Sequence, residues 1–453
     1  MMVASMEAAL ELWASSLRNV KARIRPLFTQ ERVTHSAGLF LDGLLGPERR
    51  KTGWMRAEAV GDPGPWRQQA ILGRGRWDAD AMRDVVREYA LETLSDRDAV
   101  LVIDETGFLK QGKSSCGVGR QYTGSAGKIT NCQVGVFAAY VSRHGHAFID
   151  RQLYLPKAWT DDTARLAAAH VPAAVAFATK PRLAVQMIGR AIAADVPFGW
   201  VTADSVYGVG EVEMTLRRAG KGYVLGVGAT SQFNAWVGKP LVAGTAEEIA
   251  QALDASAWQR LSAGKGTKGA RLYDWAYLEL ADLDADEFNP GLTGTWTRGL
   301  LVRRSLADGA CAYFTTWCPA GTGIQTLVAV EGQRWAIEDS FETAKTGARP
   351  GPQRNPLLAR LAPPRQLGHA GIRHDGQHPP PRQPGSLTKN TTAPTPDPGT
   401  PALVHWSVQE LRRIVTRLDQ HRIQPACVIA WSLWRRAHQA IAQRCHLKTK
   451  MQL

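Results

Sequence analysis

Along the first hundred residues apolar positions recur at helical spacing; beyond them the apolar residues gather into short runs. Residues 6–17 carry one such periodic face. Residues 77–94 open on acids and place Met82, Val85, Val86, Tyr89 and Leu94 on one broad stripe, which predicts a second helix. The Gly-, Pro- and Arg-rich stretch 61–76 predicts a connector between them. From Asp98 the pattern is that of strands. Residues 99–104 (AVLVID) form an apolar run ending in an acid, 134–142 and 146–155 read as further strands, 183–194 as a helix, and 199–204 (GWVTAD) as another buried strand ending in an acid. Strands alternating with helices predict an α/β core. Between 220 and 316 strand signals dominate, at 223–227, 272–280, 300–303 and 312–316, which predicts a β-rich insertion returning to the main sheet. A helix is expected from about Ile324 to Lys345.

At Gly347 the periodicity stops. Residues 347–401 hold 13 of the 25 prolines and follow neither a period of two nor one of 3.6. Helical spacing resumes after Val404, with apolar residues at 408, 411, 414, 415 and 418. The expected organisation is a helical N-terminal domain over 1–95, an α/β domain over 96–346 with its insertion at about 215–316, a Pro/Arg-rich disordered segment over 347–400, and a basic helical tail over 401–453.

Composition narrows the partners. With 453 residues, 44% hydrophobic and 21% charged, the chain is neither wholly disordered, collagenous nor coiled coil. Lys and Arg number 55 against 41 Asp and Glu, a net charge of +14 that favours a polyanionic partner. That charge is uneven: residues 347–453 hold 16 basic and 4 acidic residues, so the body is nearly neutral. The 6 cysteines form no CxxC pair, which argues for reduced thiols. Glu7 and Glu11 interrupt what a signal peptide would need, and no stretch of about 18 apolar residues occurs. A soluble cytoplasmic protein, with no membrane partner, is the expectation.

The candidate chemistry starts with Asp104 and Asp204, each just past a buried apolar run. Ligands of open α/β sheets gather at such ends, and two acids on different strands can share hard cations. A single acid there is more often a turn cap. The stretch 331–345 (EGQRWAIEDSFETAK) supplies a third group. At about 100° per residue Arg334, Glu338 and Lys345 fall within about 40° of one another, beside an apolar stripe of Ile337, Phe341 and Ala344. Alone this reads as an amphipathic helix with surface ion pairs. Together, three carboxylates flanked by cations match phosphodiester chemistry, in which two Mg²⁺ ions about 4 Å apart activate the attacking oxygen and steady the leaving one.

The chain resembles DDE transposases of bacterial insertion sequences, in the group with the YREK signature around its Glu. Arg334, Glu338 and Lys345 match the offsets of that signature; its Tyr is replaced by Glu331. DETGFLKQG (104–112), GRQYTGSAGKITNCQ (119–133), TADSVYG (202–208) and RLSAGKGTKGARLYDWA (260–276) resemble stretches of one such subfamily. The resemblance covers roughly residues 25–346 and the last fifty or so. It implies a ribonuclease H-like core in which Asp104, Asp204 and Glu338 are the catalytic metal ligands. Two Mg²⁺ ions are implied, with Mn²⁺ able to substitute, and Arg334 and Lys345 would contact phosphates. The implied reaction is cleavage at the ends of the element followed by strand transfer by the freed 3′-hydroxyl. Partners would be double-stranded DNA of the terminal inverted repeats, bound by the helical N-terminal domain over 1–95, and of the target, and a second copy as a homodimer in the synaptic complex, on the nucleoid. Lys265, Lys268, Arg435 and Arg436 are further candidate DNA contacts.

The alternatives are a DNA-binding remnant without chemistry and a ribonuclease H-like nuclease unconnected to transposition. After Lys345 the resemblance breaks. TGARPGPQRNPLLARLAPPRQ stands where apolar helices are expected, a composition that out-of-frame reading of a GC-rich gene yields. Two compensating frame changes, one after Lys345 and one before about Pro396, would explain it and would impair activity; a disordered basic linker is the other reading. Three patterns are set aside. Gly264, Gly266 and Gly269 precede a strand rather than a helix, so no dinucleotide site is expected. Asp282, Asp284 and Asp286 lack the remaining positions of a calcium loop and read as a solvated turn. Cys445 with His446 has no partner pair. Glu105 and Glu342 rival the chosen acids, Glu105 facing the opposite side of its strand.

Overall fold

The computed structural model describes residues 15–46, 51–73, 75–236, 238–266 and 269–347, with 437, 440 and 441. The chain divides into two compact units, Arg83–Thr343 and the remainder. The expected elements at 6–14, 348–400 and in most of the tail lie outside the described residues.

After a helical stretch at 15–24 come α1 (Glu31–Leu45), α2 (Gly53–Ala59), α3 (Trp66–Gly73) and α4 (Ala79–Leu94). In α1 the residues Ala37, Phe40, Leu41 and Leu44 recur every three or four positions and are buried, the stripe of a helix that packs on one side. Thr52 caps α2 by accepting from Met55 N at 3.2 Å. Arg56 is fully buried with its guanidinium 3.9 Å from the Phe40 ring centre, and burial lowers its pKa to about 9. The expected connector at 61–76 contains α3. Its Gly and Pro residues confine the turn to 61–65 and leave WRQQAIL free to coil.

The larger unit is built on strands β1 (Val100–Leu109), β2 (Gly119–Thr123), β3 (Lys128–Ser142) and β4 (Gly145–Tyr154). Short helices α5 (Lys157–Thr160) and α6 (Thr163–Ala168) lead to α7 (Lys180–Ala193), β5 (Trp200–Ala203), α8 (Gly210–Arg218) and β6 (Gly222–Val227). Then come β7 (Gln232–Asn234), β8 (Ala243–Thr245), α9 (Ala246–Gln251), β9 (Gln259–Gly266), β10 (Gly269–Asp284), β11 (Thr295–Arg304) and β12 (Cys311–Pro319). Helices α10 (Ile324–Gly332) and α11 (Arg334–Gly347) close the described chain.

One ten-stranded sheet runs β2-β3-β1-β5-β6-β12-β11-β10-β9, with β4 also on β3. Neighbours β1, β5 and β6 are parallel, which needs the crossover helices α7 and α8. This mixed sheet with helices fits a ribonuclease H-like core. The strands of 215–316 extend the same sheet rather than forming their own, except the small β7–β8 pair. One core, on the α7 and α8 side, contains Leu101, Ile103, Met187, Ile188 and Leu216; another contains Val100, Val102, Phe137, Leu327, Ile337 and Phe341 from the α10 and α11 side. The alternating parity of β1 thus divides its side chains between two helical layers.

Three differences from expectation have physical causes. β1 does not stop at Asp104 but continues to Leu109, because antiparallel pairing with β3 persists after the parallel partner β5 ends at Ala203. The single helix expected at 324–345 is two, meeting at Gln333. There Gly332 lies against β9 so closely that a Cβ would sit 2.3 Å from Ala263 O. The acids of the run at 282–286 are exposed, as in a solvated turn, but only Ala285–Glu287 form the turn: Asp282 and Asp284 belong to β10, and Asp282 lies 2.9 Å from Lys239 Nζ.

Candidate active site

β1 and β5 run in parallel register, with Ile103 opposite Ala203. The next residue in each case is an acid: Asp104 stays within β1, opposite Phe137 of β3, and Asp204 follows the last residue of β5, so the two acids come side by side. Asp104 has the parity of Val100 and Val102 and belongs to the face covered by α10 and α11. Asp204 begins a turn in which its own Oδ1 accepts from Val206 N at 2.9 Å and its carbonyl accepts from Tyr207 N at 3.1 Å. That turn lies directly on β6. A Cβ on Gly226 would stand 2.8 Å from Ser205 N, and one on Gly208 would stand 1.9 Å from Gly226 O. Only glycine allows this approach, and neither was singled out from the sequence.

Both acids are perturbed by burial and by neighbouring charge. Burial first, then the neighbouring Asp204 and Glu105 charges, push the Asp104 pKa up to about 7, while Arg334 and the Glu105 amide oppose the rise. Asp204 is also raised, by burial and by Glu105, against Val206 N, Arg334 and Lys180. Two carboxylates that resist ionising together form the donor set a hard cation relieves, so this pair fits a divalent metal in chemistry.

Arg334, at the start of α11, is the cation both acids sense. Its Nε is buried without a hydrogen-bond partner, a donor that no described protein group uses. The helix start is pinned by Arg271, whose Nη2 donates to Gly332 O at 2.7 Å. Glu338 stands one turn later, exposed, and forms no hydrogen bond or ion pair among the described residues. Among those residues no group of three or more His, Cys, Asp and Glu is gathered closely enough to hold a metal. The structure therefore brings Asp104, Asp204 and Arg334 together, while Glu338 is exposed and joins them in no three-donor group among the described residues.

The Lys345 and Lys265 side chains, Lys268, Arg435 and Arg436 lie outside the described residues. Glu331, in the position of the signature Tyr, is buried, and its Oε1 accepts from Arg303 Nη1 at 2.7 Å. It braces α10 against β11. Glu105 faces α7, where it meets Lys180 and Tyr207. Neither of those two was picked out from the sequence, although TADSVYG contains the tyrosine. Among the described residues no helix is long and apolar enough to cross a membrane.

The family described as DDE superfamily endonuclease matches residues 23–270. A probable transposase for insertion sequence element IS701 from Microchaete diplosiphon is 30% identical over 167 residues. The alignment covers 37% of this chain and 41% of that protein, so the matched part spans less than half of the relative.

Proposed function

Since the chain belongs to the DDE superfamily endonucleases, we propose that it is the transposase of an insertion sequence, cutting DNA at the ends of the element and joining the freed 3′-hydroxyl to target DNA. The observation that carries this reading is the pairing of Asp104 with Asp204 on adjacent parallel strands, beside Arg334. Endonucleases of this superfamily generally use divalent metal ions, which when bound lower the pKa of the attacking oxygen and offset charge on the leaving one. Asp104 and Asp204 would hold the cation, with Glu338 as the third carboxylate and Mg²⁺ as the expected ion. Arg334, with its unused Nε donor, would grip a phosphate oxygen of the scissile strand. Lys345, Lys265, Lys268, Arg435 and Arg436 are proposed to contact DNA further from the cut, and the N-terminal helices to bind the terminal repeats. The active species in this reading is a homodimer.

The test is to incubate the purified protein with Mg²⁺ and duplex DNA carrying the element's ends. Strand cleavage and joining are expected, and both should disappear in Asp104→Asn. Cutting without joining would make the protein a nuclease instead. A second reading, DNA binding without chemistry, is favoured by the exposed position of Glu338, which joins the acid pair in no metal-holding group among the described residues. It predicts retention of end-containing DNA and no cleavage at any Mg²⁺ or Mn²⁺ concentration.

A further inference from the structure

We infer that Glu105, Tyr207 and Lys180 form a positioning clamp that sets the separation of Asp104 and Asp204; the inference rests on the acid pair proposed above. Glu105 follows Asp104 on β1, and strand alternation turns its carboxylate to the opposite face of the sheet. On that face one carboxylate oxygen accepts a hydrogen bond from the Tyr207 hydroxyl and the other from Lys180 Nζ. Tyr207 is fully buried and lies three residues after Asp204, in the same hydrogen-bonded turn. One carboxylate therefore ties the strand that bears the first acid to the turn that bears the second.

Lys180 completes the arrangement. It is the first residue of α7, whose start is fixed by Thr179, its Oγ1 accepting from Arg182 N at 3.2 Å, and by Pro181 in the first turn. The ammonium thus arrives from a third element and offsets the Glu105 charge, which bears on both Asp104 and Asp204. With Gly208 and Gly226 holding the turn down on β6, the clamp leaves the second acid little room to drift. Groups that orient metal ligands in this way tune affinity without touching the metal.

A bond that merely stabilised the core would change folding and metal affinity together; a clamp changes affinity in a folded protein. Mn²⁺ binding to the full chain is measured by titration calorimetry, with thermal unfolding recorded on the same samples. Tyr207→Phe removes only the hydroxyl and should weaken Mn²⁺ binding roughly 10- to 100-fold while the melting temperature changes by a few degrees at most. Glu105→Gln should lose affinity as well. The double variant should lose less than the two single losses combined, because both act through one bond. Parent-like Mn²⁺ affinity in Tyr207→Phe overturns the clamp. So does a loss that vanishes at low temperature, where the variant is fully folded. Asp104→Asn is the control: if it binds Mn²⁺ like the parent, the acid-pair assignment fails and takes the clamp with it, whereas a loss in Asp104→Asn beside intact binding in Tyr207→Phe sinks the clamp alone.

Discussion

Asp104 and Asp204 are carried by neighbouring strands, whereas Glu338 is carried by a helix lying on the sheet, and far more of the fold fixes the first pair than the third acid. Parallel hydrogen bonding sets Ile103 against Ala203, so the acids that follow emerge together whatever their side chains prefer. Their placement has a cost: burial, with the Asp204 and Glu105 charges, raises Asp104, and burial, with Glu105, raises Asp204. Glu338 meets no such neighbours. Its helix is held by side-chain packing instead: Phe341 lies 5.4 Å from Phe137 and 5.2 Å from Phe148, centre to centre, and Asp339 is 3.4 Å from His146 Nε2. Backbone pairing places a side chain to within a fraction of the strand spacing, while a packed helix can slide or roll on its apolar stripe. The strand pair is thus built into the fold, and the helix acid is the member whose contribution depends on where α11 sits.

The largest effect expected from breaking this arrangement is chemical. Asp104→Asn or Asp204→Asn should lower Mg²⁺-dependent cleavage of end-containing DNA on the order of 10³-fold or more, because groups that act as one unit fail as one unit. Glu338→Gln should cost a similar factor if α11 delivers its acid to the pair during the reaction. Single-turnover rates decide it: a Glu338→Gln protein within tenfold of the parent would exclude that residue from the chemistry and leave the strand pair as the whole acidic site.

Next in size is the anchoring of the helical side. Glu331 is buried with Oε1 held by Arg303 and Oε2 unbonded. Arg303→Met would strand the remaining carboxylate without a cation, at a cost of about 3–5 kcal/mol of folding stability. Urea unfolding measures this directly. A loss below about 1 kcal/mol would show that Glu331 does not brace α10, and the sequence position of the signature Tyr would need another explanation.

The strand pair also makes a signed prediction about pH. Asp104 has a folded pKa pushed up to about 7 from an ordinary carboxylate value of 3.8, so the folded state binds this proton more tightly than the unfolded chain does. Its contribution is therefore neutral below about pH 4, becomes increasingly destabilising as pH rises towards 7, and is fully unfavourable above that. Asn carries no such penalty. With divalent ions chelated, Asp104→Asn should be more stable than the parent at pH 8, and that advantage should shrink by about 2–3 kcal/mol on going to pH 5. An advantage that stays constant across this range would mean that the acid is not held in the repelling, buried state described.

Both halves of the comparison were legible in the sequence to different depths. AVLVID and GWVTAD announce buried strands with an acid at a fixed place because apolar runs and their ends are local signals, and the Arg334–Glu338 spacing is equally local. What set the geometry was not local. Glu105 and Tyr207 are 102 residues apart, Arg303 and Glu331 are 28 apart, and Gly332 is tight only because β9 comes back against it. The length of β1 was misjudged for the same reason, since its extension depends on β3 rather than on its own apolar pattern. The break of the long helix at Gln333 likewise follows from the contact at Gly332, which no helical period reveals.

The smallest expected effect is the sharpest discriminator. Glu338 is exposed and unbonded among the described residues, so Glu338→Gln removes no folded-state interaction and should change folding stability by no more than about 0.5 kcal/mol. Asp104→Asn, by contrast, should raise stability at pH 8. The two variants would then share a catalytic defect while differing in stability, as expected for one acid confined by the sheet and another reaching the site from the helix. If Glu338→Gln instead stabilised the protein as Asp104→Asn does, the helix acid would already be crowded against the pair in solution. In that case α11 would sit closer to β1 than its packing here shows, and all three carboxylates would belong to one preformed cluster.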